Sequence, residues 1–119
     1  MSYFINIKEE GKIIELQPGI YKVKLIGSWF VDVGNFSLSI QDIDTNNIIK
    51  WRRSELGAFS KVKGMDAKII GTIDIPSWTN YSVHFENTQD LAIYRMGIFG
   101  RFLFKRFAKR TSNLIIAVG

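Results

Sequence analysis

Phe36-Ser37-Leu38-Ser39-Ile40-Gln41 alternates large apolar and small polar residues without a break. Successive side chains of an extended strand point to opposite sides of a sheet, so this stretch reads as a strand with one side buried and the other in water. The same period recurs before and after it. Tyr21, Val23 and Leu25 alternate with Lys22 and Lys24 across residues 19–26, and Tyr81, Val83 and Phe85 alternate with Ser82, His84 and Glu86. Ile69, Gly71, Ile73 and Ile75 make a longer run that Pro76 ends, because proline has no N–H to give to a central ladder. Shorter candidate strands are 3–7, 13–16, 48–51, 91–94 and 114–118.

Turn chemistry separates these runs. Pro18-Gly19 suits the centre of a type II turn, where proline sets the first φ and glycine takes the positive one. The stretch 44–48, with the turn residues Asp44-Thr45-Asn46-Asn47, reads as a hairpin tip that pairs 36–43 with 48–51. Residues 52–65 have no clear period and are expected to form a long loop carrying Arg52, Arg53, Lys61 and Lys63. Residues 98–110 fit two periods. A helix would gather Phe99, Phe102, Leu103 and Phe107 on one stripe, whereas a strand would set Phe102 and Phe104 against Arg101, Leu103 and Lys105. Gly97 and Gly100 disfavour the helix, so the segment is assigned to a strand. About nine short strands with close turns imply an all-β chain, an antiparallel β-sandwich of jelly-roll or related Greek-key topology.

Composition agrees. The 119 residues fit a single domain spanning 1–119, and 46% hydrophobic with 13% aromatic content is enough for a sizeable core. With no cysteine, disulfide scaffolds, thiolate metal sites and cysteine nucleophiles are excluded, in keeping with a reducing compartment. No apolar run approaches the ~20 residues of a spanning helix. The first ten residues lack the basic start and apolar stretch of a signal peptide, so a cytoplasmic protein is the expectation.

Charge is unevenly spread. Residues 1–90 hold ten basic and eleven acidic residues, whereas 91–119 hold six basic residues and no acid. The net +5 therefore arises in the last quarter of the chain. Arg101-Phe102-Leu103-Phe104-Lys105-Arg106-Phe107 interleaves cations with aromatics, a pattern that suits phosphate neutralisation with base stacking. Arg52, Arg53, Lys61, Lys63, Arg101, Lys105 and Arg106 are accordingly the candidate partner-binding residues. Glu9, Glu10, Glu15, Asp42 and Asp44 are candidates for a separate acidic patch.

Catalytic signals are sparse. His84 is the one histidine, and Glu86 shares its side of the strand. No nucleophile elbow accompanies the pair, and a surface histidine beside a surface glutamate is the expected reading. Asp42-x-Asp44-x-Asn46 starts like a calcium loop, but Asn47 stands at the sixth position and Arg53 at the twelfth, where glycine and glutamate belong. The glycines form no phosphate-cradling motif. Neither metal nor cofactor is expected, and the chain is not expected to be an enzyme. Trp29, Trp51 and Trp78 are expected in the core. Exposed, they would instead stack on sugars with Asn80, Asn87 and Gln89 as polar handles.

By elimination, the expected function is binding of one protein partner by surface complementarity, as toxin-neutralising immunity proteins bind theirs. Nucleic-acid binding through 101–110 is the alternative, and a carbohydrate-binding module the third.

Overall fold

Among the described residues, the runs that alternate apolar and polar side chains form strands. A computed structural model describes residues 3–27, 30–54, 58–94 and 114–119. They contain twelve strands: β1 (Tyr3–Asn6), β2 (Ile13–Leu16), β3 (Gly19–Ile26), β4 (Phe30–Asp32), β5 (Ser37–Asp42), β6 (Ile48–Lys50), β7 (Arg52–Arg53), β8 (Phe59–Val62), β9 (Met65–Ile75), β10 (Thr79–Glu86), β11 (Ala92–Tyr94) and β12 (Ile115–Val118).

All pairings are antiparallel. A six-stranded sheet runs β1-β12-β3-β9-β7, with β8 also on β9, and a four-stranded sheet runs β2-β10-β5-β6. A third, two-stranded sheet joins β11 to β4. The chain passes repeatedly between the two large sheets, as their inward-facing residues require. Ile5, Val23, Leu25, Ile73, Ile116 and Val118 from one sheet meet Ile14, Leu16, Leu38, Ile40, Tyr81 and Val83 from the other in a single apolar cluster. Phe36 and Phe85 stack within it at 5.9 Å, and Trp51 meets Phe36 edge-on at 5.5 Å. The result is the all-β, sandwich-like fold expected from the alternation.

Gly71 interrupts the apolar run of β9 for a steric reason. A Cβ there would lie 2.5 Å from a Trp51 ring carbon and 2.7 Å from the Arg52 carbonyl oxygen. Trp51 thus lies over β9 where the chain leaves β6 and enters β7 in the opposite sheet.

Two expectations change. Residues 52–65 are not one long loop, because β7 and β8 both pair with β9, and β9 begins at Met65. The β8–β9 turn is Lys63-Gly64 with φ of 50° and 80°, the left-handed pair of a two-residue hairpin. Lysine is an unusual residue for the first of those positions, which hid the turn in the sequence. Trp78 is not in the core but 63% exposed, since it lies in the bend before β10, outside the ladder that would set its direction. Trp51 is half-buried against the core as expected. Trp29 and the segment 98–110, including Arg101, Lys105 and Arg106, lie outside the described residues.

Candidate functional site

Strand period and register place a defined set of side chains on the water side of the four-stranded sheet. Tyr81, Val83 and Phe85 of β10 face the core, so Asn80, Ser82, His84 and Glu86 face outward. Ser82 lies opposite Ile13 of β2 and Gln41 of β5, and Gln41 lies opposite Ile48 of β6. One row therefore crosses all four strands as Ile13, Ser82, Gln41, Ile48. The next row holds His84, Ser39 and Lys50, and the row on the other side holds Glu15, Asn80 and, just past β5, Ile43. Ile13 and Ile48 are 59% and 63% exposed. With exposed Ile43 they flank a polar centre of Asn80, Ser82 and Gln41.

His84 lies inside a hydrogen-bonded chain. Its Nδ1 is 3.0 Å from Glu10 Oε1, and its Nε2 is 2.8 Å from Ser82 Oγ. The second Glu10 oxygen accepts the Phe85 N–H at 3.0 Å. Glu10 reaches this position because the chain before β2 continues alongside β10, with Gly11 N donating to the Val83 carbonyl and Val83 N to that of Lys12. Glu86, the acid the sequence places beside His84, shares the same side of the strand, but the carboxylate bonded to the imidazole comes from 74 residues upstream. No local spacing could signal that acid. The visible clue was a polar Ser82-x-His84 pair on the water side of a strand.

Charge follows the same partition. Glu10, Glu15 and Glu86 lie on or beside this surface together with Lys50. Asp44, in the β5–β6 turn, accepts the Thr79 hydroxyl at 3.0 Å. The other expected acids are engaged locally. Asp42 is buried and its Oδ1 accepts the N–H groups of Asp44 and Thr45, which makes the Asp-x-Asp-x-Asn run a capped hairpin tip. Glu9 accepts the Asn6 N–H at 3.0 Å and pairs with Lys12 at 3.2 Å. That backbone hydrogen bond, aided by Lys12, holds its carboxyl below the usual range. Among the described residues no group of three or more His, Asp or Glu side chains could hold a metal ion.

The basic candidates that the structure describes do not converge. Arg52 lies opposite Thr72, which lies opposite Lys22, on the water side of the six-stranded sheet. Arg53 projects the other way and donates Nη1 to the Gly34 carbonyl. Lys61 pairs with Asp66 at 3.6 Å in the β8–β9 hairpin, and Lys63 at its tip holds Nζ 4.6 Å from the centre of the Phe4 ring. The partners of Arg52 and Lys61 on β9 are six residues apart, about 20 Å along a strand. Asn80 and Asn87, two of the sugar handles, likewise fall at opposite ends of β10.

No helix among the described residues is long and apolar enough to cross a membrane. Comparison with protein-family models, curated proteins and solved structures returned no match.

Proposed function

We propose that this chain acts by recognising one protein partner, docking it on the water side of the four-stranded sheet. The observation that carries this reading is the row Ile13, Ser82, Gln41, Ile48, two exposed isoleucines flanking neutral polar groups across a sheet. Interface centres combine apolar anchors with few charges, and their rims are polar. The surrounding Glu10, Glu15, Glu86 and Asp44 favour a basic partner surface over a nucleic acid, whose phosphates they would repel. A toxin with a basic cleft, neutralised by occlusion, is the partner class these features fit. The separation of Arg52 from Lys61 along β9, and the opposite projection of Arg53, speak against a single anionic-ligand patch built on these cations.

The test is affinity capture from the source cell with wild-type protein and an Ile13→Asp/Ile48→Asp variant in parallel. A protein that binds the wild type stoichiometrically should be lost with that variant and kept with Arg52→Gln/Lys61→Gln. Salt-sensitive binding of mixed oligonucleotides by the wild type, flattened by Arg101→Gln/Lys105→Gln/Arg106→Gln, would replace this reading with nucleic-acid recognition.

A further inference from the structure

The chain of hydrogen bonds through Glu10, His84 and Ser82 has a directional chemistry that docking does not use. An ionised carboxylate only accepts hydrogen bonds, so the proton between Glu10 Oε1 and His84 Nδ1 resides on the ring nitrogen. In the neutral imidazole that leaves Nε2 bare, with its lone pair 2.8 Å from Ser82 Oγ. The hydroxyl has one proton and two acceptors within reach, and the Gln41 carbonyl is the more distant at 3.5 Å. The Ser82 proton therefore points at the histidine. Glu10 is itself held through its second oxygen by the Phe85 N–H, which fixes the ring's tautomer and orientation. This is the nucleophile, base and orienting acid of acyl transfer, recognised by roles rather than by order in the chain.

We propose that Ser82 is an activated nucleophile toward small acyl esters, a reactivity independent of the docking reading. The Ser82 O–H bond breaks as Oγ bonds to the acyl carbon, and the proton passes to His84 Nε2. The ester C–O bond then breaks and the departing alcohol or phenol takes that proton. In the second half, a water gives its proton to Nε2 and its hydroxyl to the acyl carbon. The carboxylic acid leaves, and Ser82 recovers the proton. Glu10 stays ionised throughout and acts as a positioning residue.

The surroundings define the substrate class. Ile13, directly opposite Ser82, is an apolar shoulder for a short acyl chain. Gln41, directly across, and Asn80, two positions back, share this side of the sheet, and their amides are assigned as donors for the developing oxyanion. Gln41 Nε2 uses one N–H on the Asn46 carbonyl and keeps a second. The site lies on an open sheet surface, so short, activated esters fit and long or branched acyl groups gain nothing.

The test uses the purified full chain with p-nitrophenyl acetate, following p-nitrophenolate release and mapping the acetyl group by peptide mass spectrometry. Acetylation should centre on Ser82. Release should fall with Ser82→Ala to the level of lysine acylation alone, and His84→Gln should slow Ser82 acetylation by about 100-fold or more. The wild-type rate should rise as the imidazole deprotonates, and His84→Gln should lose that dependence. Glu10→Gln, which keeps an oxygen for the Phe85 N–H, should give an intermediate rate. Ser82 bare in samples quenched during the reaction, together with p-nitrophenolate release no greater than the lysine acetylation accounts for, would overturn the proposal in the folded wild type, and that result needs no variant to fold. Ser82 acetylation equally fast in His84→Gln would overturn it as well.

Discussion

On the six-stranded sheet the water-side positions of β3 are Lys22, Lys24 and Ile26, whereas on the four-stranded sheet those of β10 are Asn80, Ser82, His84 and Glu86. The first surface has a second, smaller apolar cluster of Ile26, Val62, Ala67 and Ala117 with Phe4 packed against it. The second has no such cluster among the described residues, and its exposed isoleucines stand apart around short polar side chains. Both surfaces obey the same two-residue period. One uses its outward positions for long cations and further packing, and the other sets Ser82 and Gln41 of its two central strands between isoleucines of the two outer ones. A sheet side whose side chains are short leaves room for a partner surface or a small molecule to approach the backbone, which long lysines would fend off.

The largest expected effect lies behind that surface. Phe85 stacks on Phe36 in the shared core, and Phe85→Ala should cost about 3–5 kcal/mol in urea unfolding. Ser82, three residues earlier on β10 and facing water, should tolerate alanine with a change of about 1 kcal/mol, the order of a net hydrogen bond. Equal losses at the two positions would erase the distinction between the two sides of β10.

The next effect tests how the chain passes between the sheets. Gly71→Ala pushes a methyl group into the Trp51 ring and the Arg52 carbonyl, and overpacking of this kind should cost about 1–3 kcal/mol. A neutral Gly71→Ala would mean that Trp51 does not close over β9. Smaller still, Ile48→Asp and Lys24→Gln should each change stability by about 0.5 kcal/mol or less. Only the former should weaken partner binding, measured by titration calorimetry with the captured protein. Parallel losses of affinity would move the docking surface off the four-stranded sheet.

The smallest expected effect belongs to Glu9. Its carboxyl is held low by the Asn6 N–H and Lys12 in the folded chain. A depressed folded value stabilises above the ordinary carboxylate range and loses that contribution as pH falls through the folded value. The urea midpoint of the wild type should exceed that of Glu9→Gln slightly near neutral pH, and the two should converge as pH falls below the ordinary carboxylate range. A gap that widens on acidification would contradict the assignment of this bond.

Sequence alone determined the long alternating strands and which side of each is buried, though not the short β4, β7 and β8. Phe36, Leu38, Ile40, Tyr81, Val83 and Phe85 are all core residues, because a strand's period is local and its apolar positions have only one place to go. The same local rule located the β5–β6 hairpin, whose turn is rich in Asp and Asn. It missed the β8–β9 hairpin, whose tip begins with a lysine, and it put Trp78 inside when a bend frees that residue from the ladder. Tertiary structure alone decided the candidate site. Ser82 and His84 are two residues apart, but the acid that orients the ring arrives from Glu10, and the isoleucines that flank the serine's row come from β2 and β6. Strand register sets such meetings. It depends on how four separate strands align to bury their other side, a condition on the whole core that no single stretch of chain contains.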